Sequence, residues 1–390
     1  MADFTKANKK ILELGEFSQL MRPRKKNLYK MGKVTGTVAG GALVLSLSSP
    51  GIAAALGAKG LLGTVSSGTA ISSLTGASLS AASMAKLGGG GMTILAATGA
   101  GIGGKTGYGL ANAYLKDIPD YQFSLKRAAL NDSGHRVVVV NGFLSEDDLD
   151  AHDWYDGLSQ HYLNEPLWYL NWEAKTLSKL GSLLSGSLMS RTLVQGGLGG
   201  MAMMAVGLAS NPWHSAMLNA EKAGALLAEA ISRTEGKTYT LMGHSLGARV
   251  VFFALQTLAS KGGKKYVRHA VLMGGAVGNA NQNHWASAAR ATSEGIFNCY
   301  SERDGVLKWM YQTANAGLST PAGLVPVPDS VEGVTNCDFS DLIGGHNEWK
   351  ANLSTVLERL GLGKEGLVQV DEVPTQVEEP EDISPVLDDE

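Results

Sequence analysis

The residues best suited to chemistry gather around one serine. Tyr239-Thr240-Leu241-Met242-Gly243-His244-Ser245-Leu246-Gly247 is a G-x-S-x-G set, with an apolar run before it and a helical pattern after it. The pattern predicts a sharp strand-to-helix turn that lifts Ser245 Oγ above a sheet. Gly243 and Gly247 are required because a side chain at either place would collide with its neighbours. The Leu246 N–H, at a helix N-terminus, then points to where an oxyanion would form. A serine hydroxyl is a weak nucleophile until a base takes its proton and a third group orients that base.

In this context the partners follow in the order serine, acid, histidine. Of eight histidines, His269, His284 and His346 come after Ser245. His269 falls at the start of an apolar strand, the wrong end for a site above the sheet. His284 lies in an Asn-rich stretch and reads as a cap or surface residue. His346 follows the last strand and the loop Asp341-Leu-Ile-Gly-Gly345, opening a final helix, and is the expected base. For the acid, the segment from Asn298 to Leu307 follows a strand and so lies at the edge where open α/β sheets bind ligands. Asp304, just before Gly305, is the expected acid, with Glu302 and Asp338 as competitors. The second oxyanion donor is expected after Val137–Val140, where Gly142 lets the backbone turn and Phe143 or Leu144 supplies the N–H. Trp154 and Trp172 either shape this pocket or belong to the core.

The elements that must hold these residues are legible as alternating patterns. Strands are expected at Val137–Asn141, Leu167–Asn171, Thr238–Met242, Val267–Met273, Ile296–Tyr300 and Val334–Cys337. Helices are expected at Ala216–Arg233, Leu246–Ser260 and His346–Leu360. Short β-branched runs alternating with helical patterns predict a doubly wound, mostly parallel α/β sheet.

Outside that region the texture changes. The chain has 390 residues, a net charge of −3, 50 glycines, two cysteines and only 18% charged residues. Ordinary proteins carry about 25% charge and about 7% Gly, so small apolar residues are in surplus here. Disorder, a coiled coil and a disulfide scaffold are excluded, and nothing in the charge calls for nucleic acid. Residues 17–116 contain no acidic residue. A basic cluster (Arg22, Arg24, Lys25, Lys26, Lys30, Lys33) opens that run. Two stretches, Val34–Ala58 with Pro50 and Leu87–Leu115 with Lys105, approach the ~20 apolar residues of a bilayer crossing. Gly32, Gly36 and Gly40, then Gly99, Gly103 and Gly107, place flat stripes on helix faces.

The expected organisation is a basic segment 1–33, a Gly/Ala-rich helical membrane-associated region 34–116, and an α/β domain 117–362 with an apolar insertion 177–213. The tail 363–390, rich in acid and proline, reads as disordered. The insertion carries no charge from Thr192 to His214 and reads as an apolar lid or membrane-docking helix. The basic cluster predicts a cytoplasmic N-terminus, and an even number of crossings returns the α/β domain to that side. Cys299 and Cys337, near the ends of late strands, are expected to be reduced. No metal, haem or nucleotide spacing is present, so no cofactor is expected.

Several of these motifs together resemble one branch of the α/β-hydrolase superfamily. They are Gly142-Phe143, Gly243-His-Ser-Leu-Gly-Ala-Arg249, Leu272-Met-Gly-Gly275, Trp285 and Asn298-x-Tyr-Ser-x-x-Asp304-x-Val-Leu. The branch is the transmembrane-and-coiled-coil-domain hydrolase family, and the likeness runs from about Val137 to Leu360; the first third is similar only in character. The resemblance implies a hydrophobic helical segment followed by a hydrolase domain, with Ser245, Asp304 and His346 as the triad. The reading is a membrane-associated serine hydrolase of carboxylic esters, with a lipid or other apolar ester as substrate. Its rivals are a membrane-remodelling, pore-forming or tethering protein with a silent hydrolase-like module, and a soluble esterase with a glycine-rich bundle.

Overall fold

The computed structural model describes residues 10–21, 121–129, 133–142, 151–172, 212–261, 264–314 and 320–363. Most of the expected region 34–116, the insertion 177–213 and the tail 363–390 therefore lies outside the described residues. Seven strands form one sheet: β1 (Gln122–Arg127), β2 (His135–Val140), β3 (Leu167–Asn171), β4 (Thr238–His244), β5 (Val267–Met273), β6 (Thr292–Tyr300) and β7 (Val334–Asp338). Their order is β1-β3-β2-β4-β5-β6-β7. Every pairing is parallel except that of β1 with β3.

All six expected strands are present. The four consecutive valines 137–140 are fully buried because helices cover both faces of β2. Val138 and Val140 join one core, and Val137 and Val139 join the other, as the two-residue period of a strand demands. The first core is covered by α1 (Leu14–Met21), α3 (Pro212–Arg233), α4 (Leu246–Lys261) and α5 (Gln282–Ala289). The second contains Trp154 of α2 (His152–Gly157), Trp349 of α7 (Glu348–Ala351) and Leu353, Val356 and Leu357 of α8 (Leu353–Leu360). One more helix, α6 (Gly305–Ala314), follows β6.

Two elements went unforeseen at the sheet's edge. β1 reads QFSLKR, too short and polar to announce a strand, and forms by antiparallel pairing with β3. Helix α1 falls inside the expected basic segment, yet Ile11, Leu14 and Phe17 are buried in the first core. The expected helix His346–Leu360 is also different: it is split into α7 and α8, and His346 sits in the turn ahead of α7. Asn352 makes the break, its side chain donating to the Glu348 carbonyl at 2.9 Å and competing with the helical ladder. No described helix is long and apolar enough to cross a membrane.

Candidate functional site

The turn between β4 and α4 is built as the spacing predicts. Ser245 has φ +59°, a left-handed conformation costly for any residue but Gly. Its N–H donates to the Met273 carbonyl (3.0 Å) and its carbonyl accepts from Ala276 N–H (3.2 Å), so β5 and the loop after it hold the strained residue. A Cβ on Gly247 would lie 2.1 Å from the Val140 carbonyl oxygen, and one on Gly243 would lie 2.5 Å from the Gly247 carbonyl oxygen. Both glycines are thus imposed by close backbone approach.

Ser245, His346 and Asp304 meet although they are far apart in sequence. His346 Nε2 lies 2.9 Å from Ser245 Oγ, and His346 Nδ1 lies 2.6 Å from Asp304 Oδ2. A carboxylate can only accept, so the imidazole proton sits on Nδ1 and Nε2 is free to accept from the serine. Asp304 is fully buried, and its other oxygen accepts from Leu307 N–H at 2.9 Å. Ser301 Oγ donates to the Ile343 carbonyl at 2.7 Å, tying the acid's loop to the histidine's. Gly344 N–H donates to the Glu348 carboxylate at 2.7 Å, which fixes the turn that carries His346.

The competing residues do other work. Glu302 is exposed, and Asp338 spends its Oδ1 on Ser340. His269 sits at the amino end of β5, where Nε2 meets Tyr162 Oη (2.8 Å) and Thr240 Oγ1 (3.2 Å) and Nδ1 meets Glu294 (3.3 Å). His135 joins that network through Thr238 and Thr240, and burial pushes its pKa down to about 4, helped by the charge of Arg268. His284 lies in the first turn of α5, its N–H donating to the Asn281 side chain.

The expected oxyanion donors divide. Leu246 opens α4 beside Ser245, and a Cβ on Gly142 would lie 2.9 Å from its nitrogen. Phe143 and Leu144 lie outside the described residues. The residue before them, Asn141, went unnoticed in the sequence. It is buried; its Oδ1 accepts from Trp154 Nε1, its carbonyl accepts from Trp172 Nε1 (2.8 Å), and its amide donates to Tyr169 Oη (3.0 Å). Trp154 and Trp172 are both buried and thus act as supports of this loop. An Asn-Gly pair closing an apolar strand was the available signal.

His244 has a second role beyond filling the motif. Its Nε2–H donates to the His346 carbonyl at 3.0 Å, and the two rings stand 4.7 Å apart. Burial, then the nearby His346 and Lys350, hold its pKa well below the ordinary histidine value, so the ring is neutral. Lys350 in turn reaches Asp153 at 2.7 Å, joining α7 to α2. Cys299 and Cys337 stand opposite each other on β6 and β7 as free thiols. Among the described residues no group of His, Cys, Asp and Glu converges as metal ligands would.

A mostly parallel sheet with a serine at a strand-to-helix turn, bonded to a histidine and through it to a buried aspartate, fits a hydrolase-like α/β protein. The chain belongs to the family described as "Protein of unknown function (DUF726)", which matches residues 24–363. Among curated relatives, "Probable lipase MIL1" of Saccharomyces cerevisiae is 26% identical, over 90% of this chain and 33% of its own length. "Transmembrane and coiled-coil domain-containing protein STS1" of Oryza sativa is 30% identical over 86% of this chain and 53% of its own length. "Uncharacterized membrane protein F35D11.3" of Caenorhabditis elegans is 30% identical over 62% of this chain and 42% of its own length. The chain thus spans from a third to about half of these relatives. No solved structure matches it.

Proposed function

We propose that the protein is a membrane-associated serine hydrolase of the α/β-hydrolase type that cleaves carboxylic esters of lipids. The observation that carries the reading is the hydrogen-bonded chain Ser245–His346–Asp304. Ser245 Oγ attacks the ester carbonyl carbon while His346 Nε2 takes its proton. The same proton passes to the leaving alcohol as the tetrahedral intermediate collapses to an acyl-serine. Water, deprotonated by His346, then attacks that acyl-serine and releases the acid. Asp304 holds Nδ1–H and stabilises the imidazolium formed in each half-reaction. Leu246 N–H supplies one oxyanion donor, and the loop with Phe143 and Leu144 supplies the other.

A lipid substrate and a membrane location are supported by two things. One relative is named a probable lipase and others are named membrane proteins. Residues 17–116 also form a long stretch without acidic residues. The basic cluster Arg22–Lys33 supports a cytoplasmic N-terminus, and an even number of crossings would put the α/β domain on the same side.

The test is labelling of detergent-solubilised protein by a fluorophosphonate probe, with Ser245→Ala as the comparison. Wild type labels and the variant does not; esters of graded chain length then define the acyl preference. A folded wild type that resists the probe, or a variant that labels equally, removes Ser245 from the chemistry.

A further inference from the structure

The sheet sets two thiols side by side, outside the triad but on the strands that feed it. Cys299 on β6 is in register with Cys337 on β7. Both face the second core, Cys299 within it and Cys337 packed against it. Cys299 is fully buried, while Cys337 is half-buried on the strand that ends the sheet. An oxidant from solution therefore reaches Cys337 first. The hydrogen bond from Cys299 holds the Cys337 thiol below its usual pKa, and burial pushes that of Cys299 well up. Cys337 is thus the thiol that ionises, and Cys299 the one that keeps its proton.

Neighbouring strands run about 4.8 Å apart, inside the Cα range of a disulfide, but bridged Cβ atoms stand about 3.8 Å apart. In a parallel pair the two Cα–Cβ bonds point the same way, so the Cβ atoms start at about the strand spacing. A bridge here must draw the strands together by roughly 1 Å. β6 is held on its other side by β5, where Gly274 N–H donates to the Cys299 carbonyl at 3.0 Å. β7 has only β6 beside it in the sheet and is the strand that yields. Strain of this kind makes a bridge easy to reduce, which suits a switch rather than a staple.

The same two strands carry the acid and the base. β6 runs through Tyr300 into the Ser301–Asp304 turn, and β7 runs through Phe339 into the loop that ends at His346. Phe339 N–H donates to the Tyr300 carbonyl at 2.9 Å, and Ser301 Oγ donates to the Ile343 carbonyl at 2.7 Å. A shift of β7 is passed along its loop to His346, while Asp304 stays with β6.

We propose that Cys299 and Cys337 form a dithiol site oxidised by hydroperoxides, whose reversible bridge moves His346 off Asp304 and slows Ser245. The Cys337 thiolate attacks one peroxide oxygen: an S–O bond forms, the O–O bond breaks, and an alcohol or water leaves with the proton the thiol gave up. The Cys299 sulfur then attacks the sulfenic sulfur. An S–S bond forms, the S–O bond breaks, and the hydroxide leaves as water with the Cys299 proton. Two electrons pass from the thiols to the peroxide. The bridge stands apart from the hydrolase reading; the loss of serine reactivity rests on it.

The test is hydrogen peroxide added to the reduced, detergent-solubilised full chain, followed by alkylation and peptide mass mapping. Wild type yields peptides joined through Cys299 and Cys337 with two hydrogens lost, and dithiothreitol releases them. The fluorophosphonate rate of the oxidised protein falls about 10- to 100-fold and recovers on reduction. Cys337→Ser keeps its rate in peroxide, and Cys299→Ala stops at a sulfenic acid that dimedone traps. Deuterium uptake by residues 339–346 rises on oxidation in Ser245→Ala as in wild type, which reads the base loop without catalysis. No bridge, a sulfinic acid on Cys337 in its place, a bridge that leaves rate or uptake unchanged, or an equal loss of rate in Cys337→Ser overturns the proposal. A protein that bridges and changes its uptake, but whose reduced form never labels, overturns the hydrolase reading alone.

Discussion

Gly142→Ala is the smallest change that reaches the proposed nucleophile from outside its own motif. The Cβ it adds would lie 2.3 Å from the His244 carbonyl oxygen, 2.6 Å from Ser245 Cβ and 2.9 Å from the Leu246 nitrogen. Carbon and oxygen need more than 3 Å, so one of two backbones must yield by several tenths of an ångström or more. β4 is paired on both sides, by β2 and β5, and Gly142 itself follows Asn141, which two tryptophans hold. Neither side gives way easily. Overpacking of this kind costs about 1–3 kcal/mol, and at about 2–4 °C per kcal/mol for a domain of this size the Tm falls measurably. Displacing Ser245 by about 1 Å from His346 costs about 100-fold in the rate of serine acylation. The assay is the second-order rate of fluorophosphonate labelling beside thermal unfolding. Gly305→Ala is the control, since nothing lies within 4 Å of a Cβ there and the position opens α6. It labels at the wild-type rate. Wild-type labelling with an unchanged Tm in Gly142→Ala would refute the steric argument; a lowered Tm with wild-type labelling would show that the serine does not move.

Other outcomes follow from the same contacts. Asp304→Asn lowers kcat by about 10⁴ with little change in fold, because an amide donor facing Nδ1 drives the imidazole into the wrong tautomer; steady-state kinetics on a soluble ester decides. His244→Phe keeps the ring but loses the donor to the His346 carbonyl, so kcat falls while KM holds, and a change confined to KM counts against the positioning role. Phe17→Ala, at a side chain 1% exposed, costs about 3–5 kcal/mol, which denaturant unfolding of the full chain measures. His135 has its pKa lowered to about 4. The unfolded chain therefore binds the extra proton between about pH 6.5 and 4, and stability is lost as pH falls through that window, by about 3 kcal/mol. His135→Gln flattens that part of the stability-against-pH curve, and an unchanged slope would assign the loss to other groups.

Local rules made much of this protein legible. The G-x-S-x-G spacing specifies its turn because backbone approach at Gly243 and Gly247 is a short-range matter, and strands β2 to β5 follow from apolar runs buried on both faces. The order serine, acid, histidine narrows the partners to a few residues. The sequence favours Asp304 by its place before Gly305, but its burial is a tertiary matter: all three carboxylates sit on loops at one sheet edge, and only the packing of the 301–304 turn under the Ile343–His346 loop buries one of them beside the imidazole. Asn141 and the second role of His244 were hidden for the same reason, since their partners lie 13 to 102 positions away. Helix α1 is the plainest case. Its eight residues carry no long periodic pattern, and a basic cluster just beyond drew the reading toward a detached N-terminal segment. Burial of Leu14 and Phe17 depends on a strand more than a hundred residues away, and no window along the chain contains both halves of that contact.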